Sequence, residues 1–294
     1  MDAIYWDHYY NNIIILNLLI VIGLFTGLRL FSGALAHVNA SKELLTKDNP
    51  AFGVSLAGTT LAVAIMLSGT VYGSPGIEAE HAVLSVGVFG LIGIALMAIT
   101  RIIFDKITLP TISLRDEIVR GNLAVAIADT ANVLAAAIII RTVLIWVTGY
   151  TLDSIYAILG GYVVSQIILT VTTIVKTKVF HSLNKGRNLS MELMNGNRAL
   201  ALRFAGQKIG VAFSIAAAAH IVVYEQYELG TILFAWFVAS VVTVIIWKVL
   251  CIVAENIILL KVDIRDEVME QRNIAVGALQ AAICIAMGLL IAAV

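Results

Sequence analysis

Eight apolar runs, each about as long as a lipid bilayer is thick, constrain this chain more than any other feature. They cover approximately residues 13–35, 51–72, 82–104, 122–147, 152–176, 199–222, 229–253 and 273–293. A bilayer core takes about 20 apolar residues in a helix. Only helices or closed barrels satisfy backbone polar groups in lipid. The runs are continuous and not alternating, so helices are predicted and a barrel is not. Composition agrees: 60% of residues are hydrophobic and 13% charged, where soluble domains carry about 25% charge. The predicted fold class is all-α, a polytopic membrane protein with eight transmembrane helices. Its first partner is the lipid bilayer. The net charge of zero gives no basic field for nucleic acid.

Charge sets the direction of the spans. The loops around 36–50, 105–121, 177–198 and 254–272 hold Lys42, Lys47, Lys106, Arg115, Arg120, Lys178, Lys185, Arg187, Arg198, Lys261, Arg265 and Arg272. The opposite loops hold Asp2, Asp7, Glu78, Glu80, Asp153, Glu225 and Glu228, with no Lys or Arg. The positive-inside rule makes the basic loops cytoplasmic and puts both termini outside. The start, "MDAIYWDHYYNN", lacks a positive n-region, so the first run is expected to be a retained span and not a cleaved signal.

The basic loops repeat one phrase. "RDEIVRGNLAV" begins at Arg115 and "RDEVMEQRNIAV" at Arg265. In each basic loop an acidic residue precedes an Asn, which precedes an Ala/Gly-rich run. The positions are Glu43 and Asn49; Asp116, Glu117 and Asn122; Glu192 and Asn197; Asp266, Glu267 and Asn273. The Asn residues are 73, 75 and 76 residues apart, so the period is one helical hairpin. The closest matches are between units two and four and between units one and three. A two-hairpin unit has therefore duplicated, giving expected membrane repeats at 1–148 and 149–294. Each unit crosses twice, so the repeats are parallel. Asn is a good N-cap, acidic residues suit a helix start, and Pro50 suits a first turn. Two readings of the phrase stand: a helix start written four times, or acidic loops that converge into a gate or docking surface.

The even-numbered runs are rich in Ala and Gly, the odd ones in bulky residues. Small residues allow close helix approach, so the second, fourth, sixth and eighth spans are expected around a pseudo-axis, with the odd spans outside. The even spans carry polar groups at similar depth: Ser55, Thr59, Asp129, Asn132, Arg203, Gln207, Lys208 and Gln280. A charge at such depth should face inward and be paired. Arg203 or Lys208 is the expected partner of Asp129. The pair either fixes which helices meet or lines a passage for an ion or small solute. Arg141 is expected to snorkel outward or meet Glu225 or Glu228. Arg29, Arg101, Lys176 and Lys248 end odd spans on the basic side and are expected to meet anionic headgroups.

"KDNPAFGVSLAG" and "RGNLAVAIADTAN", each opening an Ala/Gly-rich span, resemble the bacterial inner-membrane family called domain of unknown function 350, which includes the YjfL-like proteins. The likeness covers the chain as two tandem four-span copies. It implies a bacterial inner-membrane location and brings no activity or catalytic residue. The third unit, "GNRALALRFAGQK", departs most, with Arg203 and Lys208 where the others carry smaller or uncharged residues.

Enzyme chemistry finds no support. Ser55 sits near the inner end of its span and His220 near the outer end of another, too far apart for a catalytic pair. No HExxH, Walker A loop or dinucleotide fingerprint is present. "EAEH" at Glu78–His81 is read as a solvated loop in preference to a metal site. Cys251 and Cys284 are read as small core hydrophobes. No cofactor and no enzymatic activity are expected. The leading expectation is a channel or transporter-like passage for an ion or small solute. The alternative is a non-transporting scaffold, or envelope-stress component, that recruits a cytoplasmic protein partner through its charged loops. A monomer or a homodimer would serve either.

Overall fold

Long apolar stretches without internal proline become long helices. The computed structural model describes residues 15–24, 26, 40–72, 79–148, 151–184, 186–225 and 228–294, the side chains of 79–85 excepted. A short helix α1 covers Ile15–Leu24. A π-helical turn at Lys42–Thr46 leads into α2 (Pro50–Tyr72). Then come α3 (Ala79–Ile103) with a π-helical turn at Phe104–Thr108, α4 (Leu114–Val119) and α5 (Leu123–Trp146). The second half follows with α6 (Leu152–Leu183), α7 (Leu189–Met194), α8 (Arg198–Ala216) and α9 (Ala218–Ile221). It closes with α10 (Leu229–Ile258), α11 (Ile264–Met269) and α12 (Ile274–Ala292). Pro50 opens α2 and Pro110 sits in the turn before α4, both outside helix interiors.

Seven described helices are long and apolar enough to cross a membrane. Most of the first predicted span, 13–35, lies outside the described residues; α1 is the part seen. The helices of the fifth and seventh apolar runs extend beyond those runs. The 32-residue α6 and 30-residue α10 continue past Lys176 and Lys248. At 1.5 Å per residue each is about 45 Å or longer, against a hydrocarbon core of about 30 Å. Their last turns therefore project on the basic side. Of the Glu78–His81 stretch, read as a loop, Ala79–His81 instead open α3; Glu78 and the side chains of Ala79–His81 lie outside the described residues.

The long helices that follow the Asn residues pack side by side in the order α2, α5, α8, α12. α3 rests on α2 and α5; α6 on α5 and α8; α10 on α8 and α12. The expected ring around a pseudo-axis is not formed. α2 and α12 are the two ends of a row and make no substantial contact with each other. Burial follows: 78% of the most apolar stretch of α5 and 72% of that of α8 are buried, against 39% for α2 and 33% for α12.

Glycine placement gives the reason. Gly58 of α2 abuts Thr130 of α5 so closely that a Cβ would collide, and a Cβ at Gly69 would crowd the Arg141 backbone at 3.0 Å. Gly206 of α8 abuts the backbone of Ala281, and Gly277 and Gly288 of α12 abut Ala199 and Gly210 of α8. The end helices each carry one glycine-lined face. α5 and α8, small on opposite faces, accept two close neighbours apiece. At the far end Trp146 donates its indole N–H to the Val222 carbonyl (2.7 Å) and stacks near Trp236 (4.5 Å between ring centres), which ties the first half to the second.

Candidate functional site

The basic-side end of the row is a seam of four asparagine caps. Asn49 Oδ1 accepts from the N–H groups of Ala51 and Phe52. Asn122 accepts from Ala124 and Val125, Asn197 from Leu200, and Asn273 from Ala275 and Val276. Each Asn is preceded by a residue with positive φ: Asp48 (47°), Gly121 (89°), Gly196 (75°) and Arg272 (52°). That left-handed residue reverses the chain between the short helical turn and the long helix, where glycine is the cheapest choice. Two of the four units use it; the others tolerate Asp and Arg.

The amide side of three of the four caps does a second job. Asn49 Nδ2 donates to the carbonyls of Ile118 and Val119, at the end of α4 in the next unit (3.0 and 3.2 Å). Asn122 Nδ2 donates to those of Leu193 and Met194, at the end of α7 (3.1 and 2.9 Å). Asn197 Nδ2 donates to that of Val268 in α11 (3.0 Å). Each of these three Asn residues thus starts its own helix and donates to carbonyls at the end of the next unit's short turn.

The acidic partners hold the caps. Glu43, Glu117 and Glu267 accept from the amides of Asn49, Asn122 and Asn273 (3.2, 2.9 and 2.7 Å). Glu192 stands 4.0 Å from Arg272. Asp116 accepts from the Ser113 hydroxyl, and Asp266 from the Gln271 amide. The hydrogen bond from Lys47, then that from Asn49, holds the Glu43 carboxyl below its ordinary range. Its contribution to stability is present above the ordinary carboxylate pKa and is lost as pH falls through the lowered value.

Deeper in the row lies an ion pair that joins three helices. Arg101 Nη2 of α3 meets Asp129 Oδ2 of α5 at 2.6 Å, and Ser55 Oγ of α2 donates to the same oxygen at 2.9 Å. Arg101 also donates to Ser55 Oγ (3.2 Å). Asp129 is fully buried, whereas the Arg101 side chain is 43% exposed. The expected partners of Asp129, Arg203 and Lys208, are not its partners, and Arg101 does not simply point to headgroups. Depth permits the pairing. Arg101 lies seven residues before the end of the π-turn at Thr108, and Asp129 lies seven after Asn122, so both are equally far from the basic side. That count was the available signal for Arg101.

The remaining polar groups are dispersed along the row. Thr59 donates back to the Ser55 carbonyl. Asn132 is buried with neither amide atom hydrogen-bonded, as is Asp129 Oδ1. Lys208, buried, donates to Thr173 Oγ1 at 2.9 Å and lies 5.0 Å over the Phe104 ring. Lys176, expected at headgroups, donates instead to the Gln207 carbonyl (3.4 Å) and lies 5.2 Å over the Trp247 ring. Aromatic faces thus stabilise both ammonium groups inside the bundle. Arg203 and the Gln207 side chain are half-buried on α8. Arg141 donates from Nε to Ser68 Oγ, not to Glu225 or Glu228. Arg29 lies outside the described residues, and Lys248 is exposed. Thr100, Tyr162 and Gln166 form a buried network between α3 and α6.

The two halves differ at the ion-pair position. Aligning the Asn caps puts Arg203 opposite Ser55 and Gln280 opposite Asp129; aligning Asp105 with Glu255 puts Cys251 opposite Arg101. Gln280 is buried with both amide atoms without a hydrogen-bond partner. Cys284 Sγ lies 3.8 Å from Glu255 Oε1 nearby. The second half therefore does not repeat the Arg–Asp–Ser cluster. No group of three or more His, Cys, Asp or Glu side chains that could hold a metal occurs among the described residues.

A family model described as Domain of Unknown Function (DUF350) matches the chain twice, over residues 6–144 and 149–294. No curated protein and no solved structure matches it.

Proposed function

Because the chain belongs to the Domain of Unknown Function (DUF350) family in two tandem copies, whose description carries no activity, we propose a function from geometry: a non-transporting multi-pass membrane scaffold. The row of capped turns is its working face, and a protein partner on that side is its client. The charge of the loops supports placing that side in the cytoplasm and the termini outside, and the family likeness supports a bacterial inner membrane. One observation carries the reading. The small-residue faces where an axial passage would run are filled by neighbouring helices, at Gly58–Thr130, Gly206–Ala281 and Gly210–Gly288.

A second reading, passage of an ion or small solute, draws on the buried and unpaired amides of Asn132 and Gln280 and on the Lys208 ammonium. Buried polar groups without partners are uncommon and often functional.

Flux in proteoliposomes separates the two. Under imposed voltage and pH gradients, flux of H⁺, K⁺, Na⁺ and Cl⁻ is expected to equal that of empty liposomes, for wild type, Asp129→Asn and Arg203→Gln alike. Flux above that background that either substitution alters would overturn the scaffold reading in favour of passage.

A further inference from the structure

We propose that copies of this chain associate head to tail in the membrane, with α12 of one copy seated against α2 of the next. The contact continues the row with the same seam that joins the repeats inside one chain. The proposal stands on the repeat geometry and holds whether or not the protein conducts.

Three internal seams set the pattern. In each, the Asn amide of one unit donates to carbonyls at the end of the next unit's short turn. The fourth unit has no following unit in the chain. Among the described residues the Asn273 amide bonds only to Glu267 of its own turn. At the other end, the first unit's short turn has no preceding unit. Counted from each unit's glutamate (Glu43, Glu117, Glu192, Glu267), its Leu44 corresponds to Ile118, Leu193 and Val268, which are 4%, 0% and 0% exposed; Leu44 itself is 37% exposed and Leu45 84%. A donor without a next unit and a turn without a previous unit stand at opposite ends of one row.

The long helices tell the same story independently. On α2, Leu56, Ala57, Thr60, Ala64 and Ser68 are exposed. Their counterparts on α8 are Phe204, Ala205, Lys208, Ala212 and Ala216, all buried. On α12, Ala275, Leu279, Ala282 and Ala286 are exposed. Their counterparts on α5 are Ala124, Ala128, Ala131 and Ala135, all buried. Each end helix leaves open the face that its internal equivalent uses in the seam between α5 and α8. These faces are mostly small, which suits close packing in lipid. The repeats are parallel, so a second copy meets the open face in the same membrane orientation. The contact is heterologous: one face of one copy meets a different face of the next.

The internal register fixes which residues meet. The ninth residue after one Asn lies against the eighth after the next: Gly58 on Thr130, and Gly206 on Ala281. At the new seam the ninth residue is Ala282 and the eighth is Ala57 of the next copy. In the seam between α5 and α8 the same positions are Ala131 and Ala205.

Two differently tagged chains, one Ala57→Cys and one Ala282→Cys, are reconstituted together in liposomes and oxidised with copper–phenanthroline. The mixed disulfide between the two tags is expected, with no Ala57→Cys or Ala282→Cys homodimer and none in wild type, whose two cysteines are buried. A chain carrying Ala131→Cys and Ala205→Cys reports crosslinking at the equivalent internal seam. Asn273→Ala in the Ala282→Cys chain should lower the mixed product several-fold. Ala57→Cys homodimers in excess of the mixed product would overturn the proposal by showing a two-fold contact. No crosslink at the end faces, with the internal control crosslinked, would overturn it outright.

Discussion

Gly206→Val is expected to cost about 3 kcal/mol or more and to pull α12 away from α8. A Cβ at Gly206 would collide with the Ala281 backbone, and its next contacts are the Ala281 Cβ and carbonyl oxygen at 2.7 Å. Overpacking penalties run to about 3 kcal/mol when side chains can yield. Here the obstacle is backbone, so the whole helix must move. Glycine also gives the closest helix approach available in lipid, where van der Waals contact replaces the hydrophobic drive between helices. Gly230→Val is the control, because a Cβ there meets nothing within 4 Å. Thermal unfolding in detergent should show a large loss for the first substitution and little change for the second. Equal losses would mean that the α8–α12 seam is not close-packed.

Asp129→Ala is expected to cost about 2–3 kcal/mol. Breaking a fully buried ion pair costs about 3–5 kcal/mol because a charge is left uncompensated. The figure is lower here because Arg101 is nearly half exposed and can turn outward. Asp129→Asn should cost less, since it keeps an acceptor for Ser55. Combined with Arg101→Gln, it should lose less than the sum of the two single changes, as expected for residues in direct contact. Strict additivity in thermal unfolding would mean that the two groups do not interact.

Much of this was readable from local chemistry. Apolar length fixes a membrane-spanning helix without reference to its neighbours, which is why seven spans stand where the runs lie. The Asn caps were equally local, since a helix start depends on a few adjacent residues. The row was not legible in the same way. Small residues say that a helix is approached closely, but not by which helix. The distinction lay in the opposite faces: the first half of α5 buries small residues on more than one face, Ala124, Ala126, Ala128, Ala131, Ala135 and Ala136, while α2 and α12 each leave leucines exposed on one side, Leu56, Leu61 and Leu279. The Asp129 partner was missed for a related reason. Arg203 shares the depth of Asp129, but it holds the place of Ser55 in its unit, which bonds into the following unit; for α8 that is α12 and not α5. The second job of the Asn amides joins units about 70 residues apart, and no local pattern announces it.

The open row is the central claim, and the distance between its ends tests it most directly. Spin labels on cysteines at Ala57 and Ala282 of one chain, diluted with excess unlabelled protein so that only distances within a chain are read, can be measured by pulsed dipolar spectroscopy. Helix axes pack about 8–10 Å apart, so three spacings give roughly 25–30 Å between α2 and α12. A distribution centred near that value is predicted. A dominant distance close to one spacing, roughly 10 Å, would put α2 beside α12, close the ring and contradict the account.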